Sequence, residues 1–333
     1  MYEVVANGFL FIGDPHISSR KPGTRNDVDF VATVIDKLEQ AAEIANARSL
    51  QAVFLGDMFN RAQEPDARLL VLLTRALKRF QLKPWTLMGN HDINETTLTE
   101  NTSLALMREA ELLNVVDTAG PFMVLNKPDG ANGIRIGLGG SPYGMVIPDD
   151  IEQDLALFGK PVERCIWITH HDLAFEGAYP GALEMYPITG CDLVVNGHMH
   201  LTKAPRLLGN TTWFNPGNIT RQSKDTAHHV PAVWEVSDVA TLLPRQHVLT
   251  YDPAVFDEAL QVVQSVRPEL TQTTSAFVQQ LRAFGAGDVA RTEDGSELAK
   301  DIAAVLESQR VPAEVASLIT TLHSKVVDNR ADV

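Results

Sequence analysis

The chain of 333 residues carries 28 Lys and Arg against 42 Asp and Glu, a formal charge of −14, with 44% hydrophobic and 21% charged side chains. These proportions belong to a folded protein with a sizeable core and exclude a disordered or low-complexity chain. The acidity excludes a surface that holds polyanions by overall charge, so nucleic acid can be met only through a local basic patch, bound cations or a partner.

The N-terminal stretch MYEVVANGFLFIGD has neither a basic start nor a long apolar run, and no segment approaches the ~20 apolar residues of a membrane span. A soluble, cytoplasmic protein without membrane contact is expected. Cys165 and Cys191, the two cysteines, each sit in an apolar run and read as reduced core thiols rather than a disulfide framework.

In chain order, Phe9–Gly13 reads as a buried strand. Asn26 or Asp27 is then placed to cap a helix whose apolar positions are Val28, Val31, Ile35, Leu38 and Ala42. A strand over Ala52–Gly56 and a helix opening at Pro65 and Asp66, with Leu69, Leu70, Leu73, Leu77 and Phe80 inward, continue the pattern. A third strand over Trp85–Gly89 and a helix from Ser103 to Leu113 complete a βαβ rhythm with a largely parallel sheet. From about Phe122 to Tyr251 the rhythm becomes strands punctuated by Gly, Pro and Asn: Ile134–Gly139, Cys165–Thr169, Leu193–Asn196, Trp213–Phe214, Ala232–Val236 and His247–Tyr251. A second sheet packed on the first explains the change. Beyond residue 251 the pattern turns helical, so the expected domains are 1–251 and a helical region over 252–333.

Five segments place metal-binding or proton-transferring side chains directly after apolar strands. They are Gly13-Asp14-Pro15-His16, Gly56-Asp57-Met58-Phe59-Asn60, Gly89-Asn90-His91-Asp92, Thr169-His170-His171-Asp172 and Gly197-His198-Met199-His200. Loops beyond the carboxyl ends of strands in an α/β protein share one crevice, so the five are expected to converge. Carboxylate, imidazole and amide donors with no thiolate suit divalent transition metals. A carboxylate such as Asp57 has two oxygens and can bridge two cations ~3.5–4 Å apart, as in two-metal phosphoesterases. His170 and His171 are adjacent and point to opposite faces of an extended strand, so spacing alone leaves open which one faces the crevice.

This ordered set, DxH, GDxxN, GNHD, a histidine segment and GHxH, resembles the calcineurin-like metallophosphoesterase superfamily over residues 9–220. The resemblance implies an α/β fold, a two-sheet αββα sandwich, followed by a C-terminal helical region. It implies one cation on Asp14, His16, Asp57 and His200 and a second on Asp57, Asn90, His170 and His198, the fourth segment being aligned on His170. The expected ions are two Mn²⁺, with Mg²⁺, Fe²⁺ or Zn²⁺ as alternatives. His91 is then the general acid or a donor to the transition state, and Asp92 is available to orient its imidazole.

Within the superfamily the chain is most similar to SbcD-type DNA repair nucleases. The basic loop from Ser18 to Asp27 is similar to theirs, GDMFN resembles their Gly-Asp-hydrophobic-Phe-Asp with Asn60 in place of the acid, and Pro216-Gly217-Asn218-Ile219-Thr220-Arg221 resembles their Pro-Gly-Ser-x-x-Arg return. The resemblance implies a DNA exonuclease or endonuclease with Arg20, Lys21, Arg25 and Arg221 on the phosphates. It also implies a partner, an SbcC-like coiled-coil ATPase, for the helical tail; a homodimer is left open. The tail, with 13 acidic and seven basic side chains over residues 251–333, is a poor DNA surface. The alternatives are hydrolysis of nucleotides or other small phosphoesters and, in another class, a non-catalytic scaffold. A scaffold has no physical need for His91.

Overall fold

A computed structural model describes residues 1–129, 133–178 and 181–256. The apolar stripes expected in the tail at Leu260, Val263, Leu281, Phe284, Leu298, Ile302, Val305 and Leu306, and with them the ATPase-binding helices, lie outside the described residues. The described residues belong to one compact unit, Met1–Glu258. Residues 252–256 pack within this unit: Asn26 N–H donates to the Val255 carbonyl and Arg25 bridges to Phe256. No helix among the described residues is long and apolar enough to cross a membrane.

Thirteen strands among the described residues form two sheets. They are β1 Tyr2–Val5, β2 Gly8–Ile12, β3 Leu50–Phe54, β4 Trp85–Leu87, β5 Asn114–Val116, β6 Gly120–Lys127, β7 Ile134–Ser141, β8 Arg164–Thr169, β9 Leu193–Asn196, β10 Lys203–Leu208, β11 Thr211–Asn215, β12 Ala232–Val236 and β13 Arg245–Val248. One sheet runs β13-β12-β2-β3-β4-β5 and the other β1-β6-β7-β8-β9-β11-β10. Both are mixed: in the first, β2, β3, β4 and β5 form the expected parallel βαβ run, whereas β12 runs against β2 and β13 against β12.

Strand β2 shows how one apolar run serves two cores. Phe9 and Phe11 point between the sheets, against Leu138, Ile166, Ile168, Val195 and Phe214 of the other sheet. Leu10 and Ile12 point the other way, onto the helices. Burial on both faces requires a continuous hydrophobic run instead of alternation, which is why these strands stand out in the sequence.

Helices α1 (Phe30–Arg48), α2 (Ala67–Leu77) and α3 (Ser103–Glu109) cover the outer face of the six-stranded sheet. Asp29, rather than Asn26 or Asp27, caps α1 by accepting from the Ala32 N–H. Asp27 is instead paired with Arg25, and Val28 is fully exposed instead of facing the core. Asp66 caps α2, so Pro65 precedes the cap and lies outside the helix. The third helix stops at Glu109, a turn earlier than Leu113. The outer face of the seven-stranded sheet is covered by irregular segments carrying Ile147, Ile151, Phe158, Leu173, Phe175 and Met185 over Trp167 and Trp213. The αββα sandwich is therefore helical mainly on one side.

Candidate metal centre

Strands β2, β3 and β4 of one sheet and β8 and β9 of the other end on the same edge of the sandwich, and all five chemistry-bearing segments follow directly from them. Convergence occurs between two facing sheets, three segments from one and two from the other. The backbone there is strained: Asp14, His16, Asp57 and His198 adopt positive φ of 28°, 45°, 47° and 70°. Such conformations cost of order 1–3 kcal/mol each outside glycine and persist only where the surroundings enforce them. Close approach also explains two glycines. A Cβ at Gly89 would lie 2.2 Å from Asp57 Oδ1, and one at Gly56, where φ is +105°, would lie 2.4 Å from His170 Nδ1.

The donor atoms gather in two neighbouring groups. In the first, Asp14, His16 and His200 bring ligand atoms within 4.8 Å of one another, and His16 Nε2 lies 3.6 Å from Asp57 Oδ2. In the second, His170 Nε2 is 3.2 Å from both Asp57 Oδ2 and Asn90 Oδ1, and His198 Nδ1 is 3.0 Å from Asn90 Oδ1. Asp57 touches both groups. Of the two adjacent histidines, His170 faces the crevice, while His171 turns away and donates from Nε2 to the Met145 carbonyl.

Three observations fit this donor set to cations. Both Asp14 carboxylate oxygens are buried without a hydrogen-bond partner, which is costly for a carboxylate unless something positive faces it. His16 Nε2 and His200 Nε2 face each other at 2.9 Å, near enough for one cation to take both as ligands. His170 Nδ1 donates to the Leu55 carbonyl at 2.7 Å, which leaves Nε2 facing two oxygen acceptors, a position that calls for positive charge.

The electrostatics agree. Burial, reinforced by Asp57 and opposed by His170, pushes the Asp14 carboxyl above its ordinary range. Burial lowers His16 to about 3 and His198 to about 4, so both imidazoles are neutral and available as ligands. Burial would also lower His170, but the Asp57 and Asp14 carboxylates outweigh it and raise it to about 9. Asp57, despite burial, is held well below the carboxylate range by His170, His16 and His91. The buried carboxylates thus draw positive charge to the place where the donor atoms converge.

His91 sits at the crevice mouth, partly exposed, with a ring nitrogen within 4.8 Å of the ligand atoms of His16 and Asp57. Its backbone N–H donates to Asp57 Oδ1 at 2.8 Å, and its Nδ1 donates to the main-chain carbonyl of Asn60 at 2.9 Å. Asp92 therefore does not orient the His91 ring, contrary to the sequence expectation. It is fully buried and accepts from the Phe59 and Gly89 N–H groups, binding the second and third segments together. Because a backbone carbonyl orients the ring, the Asn60 side chain in place of an acid leaves this contact untouched.

The model of the family described as calcineurin-like phosphoesterase matches residues 8–201, more than half of the chain. The chain belongs to this family. The family is one of metal-dependent phosphoester hydrolases, and the donor groups above are its candidate cation positions in this chain. Solved structures similar to the phosphoesterase include the 5′-nucleotidase precursor from Thermus thermophilus (14% identity, TM-score 0.41, covering 84% of this chain and 59% of that one) and the NAD nucleotidase NadN of Haemophilus influenzae (14%, 0.38, 73% and 50%). The calcineurin-like phosphoesterase YfkN from Bacillus subtilis is another (11% identity, TM-score 0.42, 83% and 98%). The chain thus spans between half and three fifths of those two nucleotidases. Comparison with curated proteins gives no match.

The basic residues of the phosphoesterase separate into two kinds. Arg25 and Arg221, expected on the substrate, are buried and spent internally. Arg25 pairs with Asp27 at 2.7 Å and donates to the Thr220 and Arg221 carbonyls, and Arg221 donates to those of Ala227 and Asp252 while stacking on Tyr251. They lock the first loop to the return segment. Lys21 is exposed but donates to the Asp27 carbonyl. Arg20 is exposed, and among the described residues its side chain makes no ion pair or hydrogen bond.

Sequence reasoning missed a buried amide relay behind the histidine segments. Asn196 Oδ1 accepts from the Thr169 hydroxyl at 2.8 Å and from His171 N–H at 3.0 Å. Its Nδ2 donates to the His171 carbonyl and to Asn215 Oδ1, each at 3.0 Å. Asn215 Nδ2 in turn donates to the Met199 and Leu201 carbonyls, on either side of His200. The relay ties the loops of His170, His198 and His200 into one unit. An asparagine directly before Gly-His is the only local signal. Asn196→Ala strands the Thr169 hydroxyl, the His171 N–H and Asn215 together, so Mn²⁺ affinity is expected to fall ~10–100-fold, as for other outer partners of metal ligands. Metal titration of the folded variant checks this, and parental affinity would show that the relay does not position the ligands.

Proposed function

We propose that this phosphoesterase hydrolyses phosphodiester bonds of DNA. The observation that carries the reading is a pair of exposed arginines, Arg20 and Arg61, on the two loops that follow the first and second ligand segments. Two stretches of loop leave the metal centre side by side, Ile17 N–H donating to the Met58 carbonyl and Asn60 N–H to that of Ile17. Arg20 and Arg61 each follow this paired stretch within a few residues. Contacts of this kind hold a phosphate backbone in place without reading sequence. Arg61 takes the part that the buried Arg25 and Arg221 cannot.

Asp14, His16, Asp57 and His200 would hold one divalent cation and Asp57, Asn90, His170 and His198 the other. When bound, such a pair supplies hydroxide near neutral pH and neutralises charge developing at phosphorus. Asp57, fixed by the His91 N–H, keeps the two groups in register. His91, with Nδ1 committed to the Asn60 carbonyl, presents Nε2 to give a proton to the leaving oxygen. The four positive-φ residues aim these donors at the crevice.

A second reading, hydrolysis of small phosphodiesters, is favoured by the internal use of Arg25 and Arg221 and by the net charge of −14. Purified protein with Mn²⁺ is to be assayed on single- and double-stranded DNA beside an aryl phosphodiester and an aryl phosphomonoester. The DNA reading expects cleavage of DNA that falls about tenfold in Arg20→Glu/Arg61→Glu and weakens with salt, as lost phosphate contacts require. Cleavage of the aryl diester with none of either DNA overturns it in favour of the second reading.

A further inference from the structure

Tyr143 stands at the mouth of the crevice and none of the chemistry above uses it. Its ring lies 6.0 Å from the ring of His198, tilted by 33°, and 6.3 Å from that of His170, edge to face. It remains 40% exposed although it lies beside the buried His170 and the half-buried His198. The ring thus borders the second cation group and keeps part of its surface open.

The loop that carries Tyr143 is braced at three points, so this placement is built in. Tyr143 N–H donates to the Met88 carbonyl, immediately before the Gly-Asn-His-Asp segment. His171, the residue after the crevice-facing His170, donates from Nε2 to the Met145 carbonyl at 2.8 Å, and the Ser141 hydroxyl donates to the Val146 carbonyl at 2.9 Å. His171 thereby fastens the Tyr143 loop to the fourth segment. Trp167, whose indole N–H donates to the same Ser141 hydroxyl, anchors the loop from below.

A partly exposed aromatic ring braced beside two cation-ligating histidines is a candidate stacking surface. Every nucleobase has a π-face, and stacking on an aromatic side chain contributes binding without choosing among bases. Resting on the phosphodiesterase reading, we propose that Tyr143 is a specificity-determining residue, the platform on which the base of the nucleotide unit esterified to the bound phosphate stacks. It makes the centre select nucleoside phosphodiesters over alkyl ones.

The test compares two esters that release the same p-nitrophenolate, thymidine 5′-(p-nitrophenyl phosphate) and methyl p-nitrophenyl phosphate, with Mn²⁺-loaded protein. The parent is expected to favour the thymidine ester in kcat/KM. In Tyr143→Ala that preference falls about tenfold or more, mainly through KM, as loss of one stacked base predicts. Tyr143→Phe retains the preference. An unchanged preference in Tyr143→Ala overturns the platform, as does an equal loss on both esters, which would make the residue structural. A Phe variant as impaired as the Ala variant would give the role to the hydroxyl and overturn it too. If the parent hydrolyses neither ester, the phosphodiesterase reading itself fails and the platform with it.

Discussion

Asp57→Ala is expected to lose cation binding and hydrolysis together. Asp57 is the side chain that contacts both donor groups, with Oδ2 at 3.2 Å from His170 Nε2 and 3.6 Å from His16 Nε2. Its other oxygen accepts the His91 N–H. Removing it separates the two cation positions electrostatically, frees the His91 backbone and leaves His170 without the charge that raises it. The loss should exceed the ~10–100-fold typical of an outer partner. Bound metal counted by mass spectrometry, alongside aryl diester hydrolysis, checks this. A variant that keeps two ions and parental turnover would remove Asp57 from the centre. Folding is a separate matter, since a buried carboxylate that disappears from among imidazoles also relieves desolvation; circular dichroism of the variant separates the two effects.

His91→Ala is expected to do something different: to keep both ions and lose turnover by about 10²–10⁴, the span of general acid catalysis. The ring is at the mouth rather than beneath the ions, and it is held by a main-chain carbonyl. A proton donor matters most when the leaving oxygen is strongly basic. The deficit should therefore be large on DNA, whose leaving group is an alkoxide, and smaller on an aryl diester, whose phenolate leaves unaided. Equal deficits on both substrates would assign His91 to binding, and parental rates on both would remove it from the mechanism.

How much of this was legible in the residues follows from what each signal depends on. Strands β2, β3, β8 and β9 stand out because they are buried on both faces, and the ligand segments stand out because they follow such strands. Strands β1 and β10 do not. Their burial is intermittent, four of six residues of β10 are exposed, and nothing in their composition demands a sheet. Strand alternation says that His170 and His171 point apart; only the packing of the two sheets says that the crevice lies on the side of His170.

Charge is where local reading and tertiary structure part most sharply. In sequence, Arg25 and Arg221 look like free cations beside a metal site, just as Arg20 does. Arg25 is neutralised by Asp27 two residues away but also consumed by carbonyls 195 and 196 residues away, which no local pattern announces. Asp92 likewise reads as a partner for the adjacent His91, yet it is taken by the N–H groups of Phe59 and Gly89. Hydrogen-bond partners are chosen by proximity in space, and a side chain buried at a junction of loops satisfies the nearest unpaired group rather than the nearest in sequence.

By itself the sequence determined the donor chemistry: which side chains follow the buried strands, that they are oxygen and nitrogen donors, and that Asp57 has two oxygens to share. Those properties are covalent or set by a periodicity of two. The tertiary structure alone decided that three segments of one sheet and two of the other meet at a common edge, which arginines remain free, which atom orients His91, and that Tyr143 faces the centre. Each of these depends on distances between residues far apart in the chain, which exist only once the sheets have packed.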